Sequence, residues 1–151
     1  MYLQMMKINA KAPVKCSRKI IINSGIEKVW SVLTDIDHWP NWQTAVSCSK
    51  INGALTAGTS FDWKSGGLKF HSILHTVEPF TSFGWTGKTI GSYAIHNWTL
   101  KDMNGKTEVL VEESLEGVLV RLFKKTFRKV LERGMEESLE QLKGECEKKR
   151  Y

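Results

Sequence analysis

The sequence predicts an α+β domain: a curved antiparallel sheet of about seven strands wrapped around a long C-terminal helix, with two short helices between the first strand and the second. Three observations carry this expectation. Residues 14–22 (VKCSRKIII) form a β-branched run of strand type. Residues 45–116 alternate with a period near two between turn signals. After Gly117 the apolar period returns to 3.6 and holds for about 30 residues.

Taken in order, residues 1–12 read as a flexible lead-in and 13–151 as one domain. After the first strand, Ser24 and Glu27 have capping-box spacing, in which serine and glutamate satisfy free backbone N–H groups at a helix start. Ile26, Val29, Trp30 and Leu33 then form one apolar stripe, so the first helix runs to about Thr34. Asp35 to Trp42 gives a second short helical turn, broken where Pro40 lacks a donor and restricts Trp39. Asn52-Gly53, Gly66-Gly67, Glu78-Pro79, Gly87 to Gly91 and Asn104-Gly105 divide the next stretch into about six antiparallel strands. Leu119, Leu122, Phe123, Phe127, Val130, Leu131, Ser138, Leu139 and Leu142 share one side of the final helix, about 45 Å long. A lone helix so amphipathic needs a surface, and the concave face of the sheet is the only one large enough. Gly134, on or beside that apolar side, permits close backbone approach or leaves room for a guest.

Composition excludes several function classes. With 41% hydrophobic and 25% charged residues the chain has the balance of a soluble globular domain. No stretch approaches the roughly 20 apolar residues of a membrane span, and the N-terminus lacks the apolar core of a secretory signal. Cys16, Cys48 and Cys146 form no CxxC pair and suit a reducing cytoplasm, so Asn97-Trp98-Thr99 is a chance glycosylation match. The net charge of +6 comes from basic residues interleaved with 16 acids, without a helix-turn-helix, zinc-finger or RNP pattern, so no nucleic-acid partner is expected. His71 and His75, four apart on a strand, stand about 13 Å apart and cannot share a metal. Ser82 to Thr89 ends like a phosphate-binding loop but has Ser82 where the first glycine belongs, and no GxSxG elbow occurs. No cofactor is expected, and monomer and homodimer both remain open.

The joints of this layout carry a family resemblance. Ser24, Val29-Trp30, Leu33-Thr34-Asp35, Trp39-Pro40, Trp42, Gly58, Phe61, Trp63, Gly67, Ser72 and Val77-Glu78-Pro79 are its first carriers. Trp85-Thr86-Gly87, Ala94-Ile95-His96, Trp98, Thr107, Glu112-Glu113-Ser114 and Gly117 complete the set. In this order the chain resembles the START-like superfamily, also called SRPBCC or Bet v 1-like, and within it the polyketide cyclase/dehydrase and lipid-transport group. The resemblance covers about residues 14–145. It implies a helix-grip fold with an internal cavity, and it implies no particular reaction, because the superfamily includes carriers, hormone receptors, cyclases and oxygenase subunits.

Strand alternation sorts the candidate wall of such a cavity. A last hairpin turning at Asn104-Gly105 is expected to bring Trp98 near Val109, His96 near Val111 and Ala94 near Glu113. His96, Trp98, Val111 and Glu113 then share a face, which Trp42, Phe61, Trp63, Phe83 and Trp85 extend as an aromatic wall, with Leu122 and Val130 facing it from the helix. Any one of these aromatics could equally be core packing. His96 and Glu113 are the candidate catalytic pair, because a histidine and a carboxylate among apolar neighbours can pass a proton. The alternatives are a polar contact from this pair to a bound ligand, a structural His–Glu contact, or a Glu113 turned to solvent. The expected function is binding or transport of a small hydrophobic or amphipathic molecule, such as a lipid, quinone or polyketide-like compound, in that cavity. One alternative is a cyclase, dehydratase or isomerase using His96 and Glu113. Another is a protein or membrane interaction module using the basic helix residues Arg121, Lys124, Lys125, Arg128, Lys129 and Arg133. Those cations could instead be a solvated face paired as Arg128 with Glu132 and Arg133 with Glu137.

Overall fold

Seven antiparallel strands in the order β1-β7-β6-β5-β4-β3-β2 make one curved sheet in a computed structural model that describes residues 5–149. The strands are β1 (Val14–Ile22), β2 (Val46–Ile51), β3 (Ser60–Ser65), β4 (Leu68–Glu78), β5 (Ser82–Thr89), β6 (Ser92–Asp102) and β7 (Thr107–Glu116). Helix α1 (Ile26–Thr34) and a 3₁₀ turn (Ile36–Asn41) join β1 to β2, and α2 (Val118–Leu122) and α3 (Lys124–Glu147) follow β7.

Two helix ends depart from expectation. Gly25, not Ser24, caps α1, and no side chain caps it. Ser24 lies one residue too early, and its carbonyl accepts from Thr107 Oγ1 at 2.8 Å instead. The expected 30-residue helix is two helices, because the Phe123 backbone leaves helical geometry at φ −124° and ψ 43°. The Phe123 N–H closes α2 on the Leu119 carbonyl, and the Phe123 carbonyl opens α3 by accepting from Phe127. The 24 residues of α3 span about 36 Å.

The last hairpin sets the register of the site. Asn104 and Gly105 have φ of 56° and 91°, and Met103 N–H donates to the Lys106 carbonyl at 2.8 Å. This is a two-residue turn with both central residues left-handed, as the twist of a hairpin favours. It pairs Trp98 with Val111, His96 with Glu113 and Ala94 with Leu115, two residues from the expected partners. An even displacement keeps every side chain on its expected face.

The core lies between the inner face of the sheet and the helices. Leu131, Met135, Leu139, Leu142 and Cys146 make the buried stripe of α3, at the spacing of one helix face. That stripe seats on β1 and on α1, so the helix leans toward one edge of the sheet instead of lying along its centre. On the outer face, residues 5–12 of the expected flexible lead-in are tied down: Asn97 Nδ2 donates to the Met6 carbonyl and Asn9 N–H to Ser114 Oγ. Residues 1–4 of that lead-in lie outside the described residues. Among the described residues no helix is long and apolar enough to cross a membrane.

Candidate ligand cavity

Because α3 leans toward β1, the inner face of β3 to β7 is left partly uncovered, and a cavity of about 280 Å³ opens beneath the helix. Strand alternation supplies its walls. Trp63 on β3, Phe70 and Ser72 on β4, Trp85 and Gly87 on β5, His96 and Trp98 on β6, and Val111 and Glu113 on β7 all face it. Phe127, Leu131 and Met135 of α3 form the roof, with Val130 and Gly134 at its exposed margin. Glycine makes the room: a Cβ on Gly134 would meet nothing within 4 Å, and one on Gly87 would sit 3.0 Å from Ser72 Oγ.

The wall holds one ionisable pair. His96 Nδ1 lies 3.3 Å from Glu113 Oε1, and the two side chains are 15% and 16% exposed. The imidazole is stacked on Trp85 at 4.4 Å with only 6° between the planes. Such face-to-face contact fixes the ring on one side and leaves its edge toward Glu113. His96 Nε2 and Trp98 Nε1 are sealed from solvent and have no hydrogen-bond partner among the described residues. Further round the wall, Trp63 stacks on Phe70 at 4.7 Å and donates from Nε1 to Ser72 Oγ at 3.0 Å. That bond pairs a half-buried indole donor with the hydroxyl of the fully buried Ser72.

Of the residues singled out from sequence, Trp63, Trp85, His96, Trp98, Val111 and Glu113 face the cavity, and Val130 stands at its rim. Trp42, Phe61, Phe83 and Leu122 lie outside the lining, which corrects the expected wall. Phe61 and Phe83 are wholly buried behind it, Phe61 edge-on to Trp39 and Phe83 edge-on to Trp30. They share a sheet face with the wall but sit further along their strands, under α1 and the 3₁₀ turn. Trp42 is buried in the same core, and Leu122 points outward from α2. Sequence reasoning missed Trp39, Phe70 and Phe127 as lining residues. Phe70 was accessible from the Gly66-Gly67 turn, which pairs it with Trp63, and Phe127 from the helical stripe.

The other histidines lie elsewhere. His71 meets Asp62 at 2.7 Å and, with Asn52, holds that carboxyl below its usual range. His75 packs on the outer face over Gly84, where burial lowers its pKa. Among the described residues no group of three or more His, Cys, Asp or Glu side chains is arranged to hold a metal ion.

A curved antiparallel sheet gripping a long helix over an apolar cavity defines the START-like class of helix-grip proteins. The chain belongs to the polyketide cyclase / dehydrase and lipid transport family, whose pattern it matches over residues 13–147. Solved structures share the fold at low identity. A hypothetical protein of Helicobacter pylori superimposes with a TM-score of 0.82 at 17% identity, covering 97% of this chain and 99% of that one. A START superfamily protein of Mycobacterium smegmatis gives 0.78 at 12% identity, covering 88% of this chain and 97% of its own. The Zhui aromatase/cyclase of Streptomyces sp. R1128 gives 0.77 at 13% identity, with 88% and 93% covered. No curated protein sequence matches the chain.

Proposed function

We propose that the protein binds or carries a small hydrophobic or amphipathic molecule, of lipid, quinone or polyketide-like character, between its sheet and α3. The observation that carries this reading is the cavity of about 280 Å³, walled by aromatic rings and interrupted by the single His96–Glu113 pair. An apolar enclosure with few convergent polar groups desolvates a guest and orients its one polar end. Three free thiols, two of them buried, accord with a reducing, cytoplasmic setting. Native mass spectrometry of protein purified from its own host is expected to reveal a retained apolar molecule. A thermal-shift screen of lipids, quinones and aromatic polyketides should find compounds that raise the melting temperature. No retained molecule and no stabilising compound would overturn the reading.

One observation favours a second reading. His96 stands directly opposite Glu113, with Nδ1 3.3 Å from the carboxylate, in the wall where a guest would lie. A cyclase, dehydratase or isomerase would use this pair to remove a proton from the guest and return it at another atom. Glu113→Gln keeps the shape of the wall and removes the carboxylate. Loss of turnover with retained binding supports enzymatic use, and turnover unchanged by the substitution ends it.

A further inference from the structure

We propose that the rim of the cavity docks on an anionic lipid bilayer. The rim is built from the β5–β6 turn, α2 and the start of α3. At that turn Gly91 lies against the Leu119 side chain, and Gly117 against the Gly91 carbonyl. Around this contact, large apolar side chains stand in solvent: Ile90 is 85% exposed, Val118 70%, Leu122 68% and Val130 66%, with Phe123 and Leu68 more than half exposed. Single exposed apolar residues are ordinary, whereas a contiguous apolar group on one rim marks an interaction surface.

Charge identifies the partner. Arg121, Lys124, Lys125, Arg128 and Lys129 are interleaved with these apolar side chains, all are exposed, and no acidic residue occurs between Glu116 and Glu132. The ion pairs expected of Arg128 with Glu132 and of Arg133 with Glu137 do not form. None of these six cations reaches a carboxylate among the described residues, while Glu136 pairs with Arg18 at 3.2 Å. Apolar side chains protruding among free cations match the bilayer interface, where the former enter the acyl boundary and the latter meet phosphate and carboxylate headgroups. An acidic protein surface would satisfy the cations and strand the aliphatic side chains. Leu68 and Val130 belong to both the rim and the cavity lining, so the docking surface is continuous with the interior. Exchange of a guest with the membrane through that opening rests on the carrier reading; docking itself does not.

Co-sedimentation of the full chain with vesicles tests this. Binding is expected to phosphatidylcholine vesicles containing about one third phosphatidylserine, and to fall steeply with salt. Each cation removed should weaken binding about fivefold, so Lys124→Ala/Lys125→Ala/Arg128→Ala loses roughly 100-fold. Ile90→Ser/Leu122→Ser, at side chains that touch little of the core, should lose roughly tenfold at unchanged melting temperature. Equal binding to pure phosphatidylcholine, binding indifferent to both variants, or binding to an acidic polypeptide such as polyglutamate without binding to vesicles would each overturn the proposal. Native mass spectrometry of the same samples separates the two claims. Vesicle binding by a protein with no retained guest supports docking and counts against the carrier reading. A retained guest with no vesicle binding does the reverse.

Discussion

Gly134 is the position at which the space beneath α3 can be tested most directly. It lies mid-helix, on the stripe shared by Phe127, Leu131 and Ser138, and a Cβ placed there meets no atom within 4 Å. In Gly134→Ala the gain in helix propensity, about 1 kcal/mol, is therefore unopposed by any clash. At about 2.1 cal/mol/K per residue, the unfolding entropy of 151 residues is about 0.3 kcal/mol/K, so the melting temperature should rise by about 3 °C. Gly134→Leu keeps most of that gain but adds four carbon groups, each about the 30 Å³ of a water molecule. Gly134 lines the cavity at an exposed position, so this added bulk, roughly 120 Å³ in all, would narrow the cavity at its open margin. Thermal unfolding by circular dichroism reads the first effect. Titration with an apolar dye that quenches Trp63, Trp85 and Trp98 reads the second. A variant more stable than the natural protein yet poor at dye uptake is the expected outcome. A lower melting temperature for Gly134→Ala, or full dye uptake by Gly134→Leu, would show that the space is filled or lies elsewhere.

Other consequences can be measured alongside. Burial lowers the His75 pKa from its ordinary 6.5, with nearby Asn97 opposing and the charge of His96 assisting. Between 6.5 and the lowered value the unfolded chain holds a proton that the folded chain does not, so stability should fall as pH drops through that window. The urea midpoint measured from about pH 7.5 to 5.5 should decline, and His75→Gln should flatten the decline. His38, raised by Asp35, acts in the opposite sense but is fully exposed and contributes little. An equally steep decline in His75→Gln would refute the assignment. Gly117→Ala places a Cβ 2.2 Å from the Gly91 carbonyl oxygen at a φ of 128°, and should cost at least about 2 kcal/mol in denaturant unfolding. A neutral result would mean that the β5–β6 turn does not rest on the start of α2. Among the thiols, exposed Cys48 should react first with a disulfide reagent, while burial raises Cys16 and pushes Cys146 up to about 12. Cys146 reacting as fast as Cys48 would show that the end of α3 is not seated on the core.

Periodicity made the order of elements legible, because strand and helix repeats differ and glycine-bearing turns separate them. It also put the correct side chains on the inner face, since alternation depends only on the backbone. Position along a strand was not legible. Phe61 and Phe83 share a face with Trp63 and Trp85, yet whether such a residue meets α1 or empty space depends on where the covering helices end. The lean of α3 toward β1 was hidden for the same reason. A helical stripe reports that one side is buried and not which neighbour buries it. Leu122 and Val130 fit the stripe, but the break at Phe123 separates Leu122 from α3, and Val130 stands one residue off the Leu131–Met135–Leu139 stripe that α3 buries, so both side chains lie largely in solvent.

The His96–Glu113 pair is the feature that packing alone leaves unexplained. A carboxylate and an imidazole set among aromatic and aliphatic neighbours lose much of their hydration, and an apolar pair of similar size would be as stable or more so. The local structure nevertheless holds them together. The two-residue turn at Asn104-Gly105 fixes the register that sets His96 opposite Glu113, and stacking on Trp85 keeps the imidazole from turning away. An apolar cavity without them could select a guest by size and little else, since hydrophobic contact is non-directional. With them, a molecule presenting a hydroxyl, carbonyl or amine at one end is distinguished from a plain hydrocarbon by the hydrogen bonds it completes. The polar pair therefore accords with an amphipathic guest whose polar end points toward β6 and β7 and whose apolar body lies along Trp63, Phe70 and the roof of α3.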